Sequence, residues 1–246
     1  MPLFIASHKP TRTPAADFYR GIALGGAVLD GFPHTDGSGQ NIAALNRQYC
    51  ELTATYWIWK NTQDDLVGLC HYRRYFNLVP NNHQQRHMLE LEFDANIEGI
   101  LDNPLQLELM QQALQHYDII LPFAVHEPGP IGHSYSAAHG HVEWNAMLGA
   151  LDLLYGPRQH ALRLERRFYQ CNMFVCRREV FDRYASQLFF AIDQVYQQVG
   201  PLPEVPGARY QPFRYPGYLA ERFMSAFVNA NRLRVYEAQM LLMKNL

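Results

Sequence analysis

An unbroken apolar run, Leu3 to Ser7, is closed by His8-Lys9-Pro10. A short run ended by proline predicts a buried first strand, with His8 and Lys9 at its exit. The next apolar stretch, Ile22 to Leu29, carries Gly25 and Gly26 and leads into turn-prone residues Asp30 to Gln40, which predicts an exposed loop. From Asn41 to Asn61 the apolar residues Ile42, Leu45, Tyr49, Leu52, Tyr56 and Trp59 recur at steps of three and four, the spacing of one amphipathic helix of about five to six turns. That stripe assigns Trp59 to the core and puts Trp57, two residues away, on another face.

Leu66 to Cys70 predicts a second buried strand, running straight into His71-Tyr72-Arg73-Arg74. Asn77 to Asn96 is polar and histidine-rich without a period, the pattern of a loop able to close over a substrate. Further helices are expected at Pro104 to Tyr117, Val142 to Tyr155, Glu179 to Gln197 and Tyr218 to Asn229. Strands are expected at Tyr117 to Pro122, in the short apolar run Asn172 to Cys176, and at Leu233 to Glu237. Phe123 to His139 and the five-proline stretch Gly200 to Pro216 read as loops. Alternating strands and helices of this kind predict an α/β sheet in a single domain spanning residues 1–246.

Composition narrows the class of function. With 48% hydrophobic residues in 246, the chain can bury one generous core. A formal net charge of -2 offers no global field for nucleic acid, so anion binding must come from local clusters. The four cysteines, Cys50, Cys70, Cys171 and Cys176, lie in apolar runs without CxxC spacing. They read as buried free thiols, as a reducing cytoplasm favours. No run of about 18 apolar residues suggests a membrane span, and no basic amphipathic helix suggests a surface anchor.

Candidate chemistry concentrates at residues 71–74. In α/β folds ligands sit past the carboxyl ends of the strands, and paired arginines match phosphate oxygens bidentately. A surface salt-bridge network with snorkelling arginine stems is the other reading of the same residues. The glycines ahead of the long helix offer amides to a phosphate through Gly37, Gly39 and Asn41, or else form a plain capped turn. Asp64-Asp65 are carboxylates of metal-binding type, but at the wrong end of their strand. His139, His141 and Glu143 lack a third ligand at a recognised spacing and read as a surface loop.

Several blocks resemble one family over almost the whole chain: Asp36 to Ile42, Leu45-Asn46, Tyr49 to Thr53, Tyr56 to Asn61, Gly68 to Phe76, Asn172 to Val175, Glu179 to Asp182 and Ala220 to Arg222. They are similar to the DUF4422 family of bacterial capsular and exopolysaccharide biosynthesis proteins. The resemblance implies a GT-A-like glycosyltransferase with a central mixed sheet flanked by helices. It implies transfer of a hexose, with galactose-type donors among those associated with the family, from a nucleotide sugar of UDP type to a glycan or lipid-linked acceptor. It also implies a cytoplasmic protein, with peripheral association at the inner face of the membrane allowed. One departure stands out: Gln40 occupies a position that is usually acidic.

On this frame Arg73 and Arg74 are expected to supply the positive charge that a divalent metal provides in many such enzymes, so that no metal is required. His8, Lys9, Tyr72, Asn172 and Arg222 complete the expected donor and diphosphate set, with Asn172 where a donor sugar is often held. An inverting transfer needs a base for the acceptor hydroxyl. Glu221, placed by the sequence at the start of the last helix, is the first candidate, ahead of His71 and Asp118; an acid suited only to the helix dipole is its alternative reading. A non-catalytic glycan- or nucleotide-binding module is the competing function, and Gln40 is the feature that favours it.

Overall fold

The computed structural model describes residues 1–83, 86–157 and 162–246. In its first half the elements are β1 (Leu3–Ser7), β2 (Tyr19–Ala23), β3 (His34–Thr35), α1 (Asn46–Tyr49), α2 (Leu52–Asn61), β4 (Leu66–His71), β5 (Arg74–Asn77), β6 (Met88–Leu91), α3 (Ala95–Leu101) and α4 (Leu105–His116). There follow β7 (Ile119–Pro122), β8 (Val125–His126), α5 (Ile131–Ala138), α6 (His141–Tyr155), β9 (Arg167–Phe168), β10 (Phe174–Arg177), α7 (Arg178–Val199), α8 (Tyr215–Ala230) and β11 (Val235–Met243). Short 3-10 turns at Ala43–Leu45 and Pro212–Arg214 lead into α1 and α8.

One mixed sheet organises the chain. β3, β2, β1 and β4 run parallel as successive neighbours. β10 is antiparallel to both β4 and β7, and β7 is parallel to β11. The far half of β11 takes β5 antiparallel and β6 parallel. Side chains alternate between two apolar clusters, as a sheet covered on both faces requires: Phe4 and Ala6 join the one under α2, α6, α7 and α8, while Leu3 and Ile5 join the one under α3 and α4. Gly68 marks the tightest point. A Cβ there would lie 2.5 Å from Leu3 Cδ1 and 3.2 Å from Val175 Cγ2, so β1 and β10 close on β4 only because that side chain is absent.

Six expectations need correction. The long helix at 41–61 is broken: Cys50 has φ 53°, and its carbonyl accepts from the Asn46 side-chain amide at 2.8 Å. The break is held from below by Asp36, fully buried in a loop that reads as exposed. Its carboxylate accepts from the Gly25 and Gly26 amides at 3.0 and 2.7 Å and from the Thr53 hydroxyl. Trp57, not Trp59, is the more deeply buried indole, and its Nε1–H donates to Ser38 Oγ at 2.9 Å. Trp59 is half-buried and stacks on Phe189.

Within 77–96 the strand β6 adds to β11, where the absence of a period hides a short edge strand. Phe123 to His139 contains α5, started after Pro130 and packed so closely that a Cβ on Gly132 would meet the Trp144 indole at 2.5 Å. The last strand extends six residues past Glu237, to Met243. No helix among the described residues is long and apolar enough to cross a membrane.

Candidate functional site

β1 and β4 are adjacent and parallel, and their carboxyl ends open on a cavity of about 650 Å³. β4 does not run into an open loop. His71 pairs directly with Arg74 across a turn made by Tyr72 and Arg73, and the chain returns as β5. The turn is fixed by Tyr72 N–H donating to the Ala6 carbonyl at 3.1 Å and by the Tyr75 hydroxyl donating to the Tyr72 carbonyl at 3.0 Å. The Tyr72 ring lies edge-on to His8, with the Lys9 ammonium 5.2 Å and the Arg73 guanidinium 5.5 Å from its centroid. A rigid two-residue turn therefore presents Arg73 and Arg74 to the cavity.

His71 is buried beneath that turn. Its Nδ1 lies 3.3 Å from Arg74 Nη1, and because a guanidinium only donates, Nδ1 is the acceptor. Burial, then the Arg74 charge, depresses its pKa to about 3, so the imidazole is neutral. Burial followed by the charges of Lys9, Arg214 and Arg73 also lowers the pKa of His8.

The opposite wall is acidic. Glu51, at the break between α1 and α2, accepts at Oε1 from Asn172 Nδ2 at 2.6 Å. Glu221, seven residues into α8 and not in its first turn, accepts from the Cys171 amide at 2.8 Å and from Arg222 Nη1 at 2.8 Å. Both donors from the 171–172 link come from left-handed residues, Cys171 at φ 73° and Asn172 at φ 48°. That link precedes β10, which runs against its neighbours, so its amino end arrives at the edge where β1 and β4 finish. Burial raises the pKa of both acids; Arg222 offsets it most at Glu221, and the Asn172 amide offsets it most at Glu51.

Of the expected site residues, His8, His71, Tyr72, Arg73, Arg74 and Glu221 line the cavity. Asn172 is buried behind Glu51, with its Oδ1 left without a protein partner. Arg222 points away: it pairs with Glu221 and packs 4.3 Å over the Phe168 ring, a counter-ion beneath the floor. The Lys9 ammonium turns to the Leu246 carbonyl at 3.0 Å. Gly37, Gly39 and Asn41 are not brought to the cavity. The Asn41 amide donates to the Gly37 and Gly39 carbonyls, and Asn61 at the far end of α2 bonds the Gln40 backbone in both directions. With only a 3-10 turn and a four-residue helix following, no helix terminus is offered to a phosphate there.

The other carboxylates lie elsewhere. Arg178 bonds the carbonyls of Asp64 and Asp65 at the start of β4, and Asp118 is paired with Arg234. His139 stacks on Tyr218 at 4.2 Å, and no group of three or more acidic, histidine or cysteine side chains placed to hold a metal occurs among the described residues. Two contributors were not expected. Glu51 is the residue immediately before α2, and on the expected unbroken helix it carries no signal of its own. Arg214, between Pro212 and Pro216, reaches back to Cys50 Sγ at 3.1 Å.

Residues 2–232 match the family described as a domain of unknown function (DUF4422). No curated protein matches the chain. Among solved structures, the WbbM bifunctional glycosyltransferase in its apo form superposes with a TM-score of 0.81 over 99% of this chain at 24% identity. This chain spans 45% of that protein's length. The likeness is one of fold, and it makes the mixed sheet with helices on both faces GT-A-like.

Proposed function

We propose, from the premise that this chain belongs to the DUF4422 family, that the cavity beyond β1 and β4 is the donor site of a glycosyltransferase. The observation that carries the reading is the juxtaposition of Arg73, Arg74 and Arg214 with Glu51 and Glu221 around one cavity of about 650 Å³, a volume suited to a nucleotide sugar. Fixed guanidinium groups stabilise the charge that grows on a departing diphosphate without reorganising as it forms. Arg73 and Arg74 take that role, in place of a divalent metal. His71, neutral and bonded to Arg74, orients that arginine and does not accept the acceptor's proton. The opposite, acidic wall serves the acceptor hydroxyl.

The donor we favour is a UDP-hexose of galactose type. The acceptor is a glycan or lipid-linked glycan of surface polysaccharide assembly, at the cytoplasmic face. The competing module without catalysis rests on Gln40. That residue lies on an exposed turn tied to Asn61 and does not line the cavity, which supports the catalytic reading over its competitor.

Titration calorimetry with UDP and other nucleoside diphosphates, in EDTA and then in manganese, tests the assignment. Metal-free binding of one nucleotide is expected and identifies the base. Binding only with manganese would move the diphosphate contact to the carboxylates. Absence of binding in both conditions would leave the non-catalytic reading ahead.

A further inference from the structure

We infer that Glu51 is the catalytic base that takes the proton from the acceptor hydroxyl, and that Glu221 beside it is a held anion. The inference rests on the donor-site reading above and goes beyond it by separating two acids that residue type alone does not distinguish.

The separation lies in their hydrogen bonds. Both oxygens of Glu221 are engaged, Oε1 by the Cys171 amide and Oε2 by the Arg222 guanidinium. Donors of that kind favour the ionised form and reduce its appetite for a proton. Glu51 is held only by neutral donors, the Asn172 amide at Oε1 and its own backbone amide. Glu51 lines the cavity, as do Arg74 and Arg214. Among the described residues no salt bridge engages Glu51, whereas Glu221 is ion-paired. Burial lifts the affinity of Glu51 for protons, opposed only in part by the Asn172 amide, its own backbone amide and then Arg74 and Arg214, which is the direction a general base needs.

A merely structural acid at this position would cap α2, since Glu51 is the residue before that helix. Its side chain makes no capping hydrogen bond. The left-handed Cys50 instead breaks the helix immediately ahead of it, and Asn172, itself left-handed, supplies a side-chain amide to the carboxyl while also bonding the Gly217 carbonyl at 3.2 Å. Backbone strain of this kind on both sides of one carboxyl is characteristic of functional sites.

The step balances as a single displacement. The acceptor O–H proton passes to the Glu51 carboxylate as the acceptor oxygen bonds to the anomeric carbon. The bond from that carbon to the diphosphate oxygen breaks, and its electron pair leaves with the diphosphate, opposite Arg73 and Arg74. Configuration inverts, and the protonated Glu51 returns its proton to water.

The test compares wild type, Glu51→Gln and Glu221→Gln for UDP affinity by calorimetry, and for transfer from UDP-galactose, UDP-glucose and their N-acetylated forms to methyl β-galactoside. Glu51→Gln is expected to keep UDP affinity within about twofold and to lose transfer by on the order of 10²–10⁴-fold. Added formate is expected to restore transfer in Glu51→Ala, which a structural role would not allow. Transfer within threefold of wild type in Glu51→Gln, or formate rescue in Glu221→Ala in its place, would overturn the assignment while leaving the donor site standing. A wild type that binds UDP but turns over none of the four donors would remove the catalytic reading, and one that binds no nucleoside diphosphate would remove the donor site; the inference falls in either case.

Discussion

Arg73 and Arg74 sit side by side in sequence but are held by different devices. Arg73 extends from the turn across Tyr72, and Arg74 is anchored to His71 in the first pair of β5. Replacing either by alanine removes a charged hydrogen-bonding group worth about 1.5–3 kcal/mol. Calorimetry should therefore show nucleotide affinity falling roughly 10- to 100-fold in each variant, with Tm nearly unchanged. Equal affinity in both variants would remove the arginines from the site. Glu51 gives a prediction of stability. Its folded pKa is raised, so its favourable contribution is complete below the unfolded value and is lost as pH rises through the folded one. At neutral pH the ionised carboxyl opposes folding. Glu51→Gln, which keeps an acceptor for Asn172, should gain on the order of 0.5–2 kcal/mol there, the usual exchange between stability and function. The gain should shrink as the medium is acidified, and thermal unfolding across pH would expose the opposite trend.

The elements that were readable in the sequence are those whose periodicity matches their burial. β1 and β4 are continuous apolar runs because helices cover both faces of the sheet, and α7 shows a clean stripe through Phe181, Tyr184, Leu188 and Ile192. The helix at 41–61 misleads for a physical reason. Its three-four spacing persists through Cys50, while the break is imposed by the remote side chain of Asp36 and by Asn46, contacts that no local pattern encodes. Glu51 was hidden by the same continuity, since on an unbroken helix it is one more polar residue. Gly68 shows how little space the central strands leave. Gly68→Val forces Leu3 and Val175 apart, and overpacking of that order costs about 1–3 kcal/mol or more. A denaturant midpoint that does not fall would mean the strands yield more readily than their spacing implies.

Across the whole molecule, the sheet and the family match do not share a boundary. The match ends at residue 232, yet β11 (Val235–Met243) lies inside the sheet, bonded to β5, β6 and β7. Its Gln239 also ties Asn77 and Asn81 into a buried amide network. A chain cut after residue 232 should fail to fold cooperatively, and circular dichroism with a sharp thermal transition in the truncated chain would contradict this. The α/β class could be read from alternating elements. The meeting of residues 51, 73, 74, 214 and 221 could not, because it depends on which strand runs backwards.

That reversed strand sets a condition of its own on the link before it. Tyr169 to Met173 must span from the end of β9 to the start of β10 with two successive residues placed so that one backbone amide meets Glu221 and one side-chain amide meets Glu51. Deleting a single residue from this link would leave the strands able to pair and the apolar clusters able to form, yet each acid would lose the donor the link supplies to it. The number of residues in this stretch of backbone thus sets where the two acids of the cavity stand as firmly as the side chains around them do.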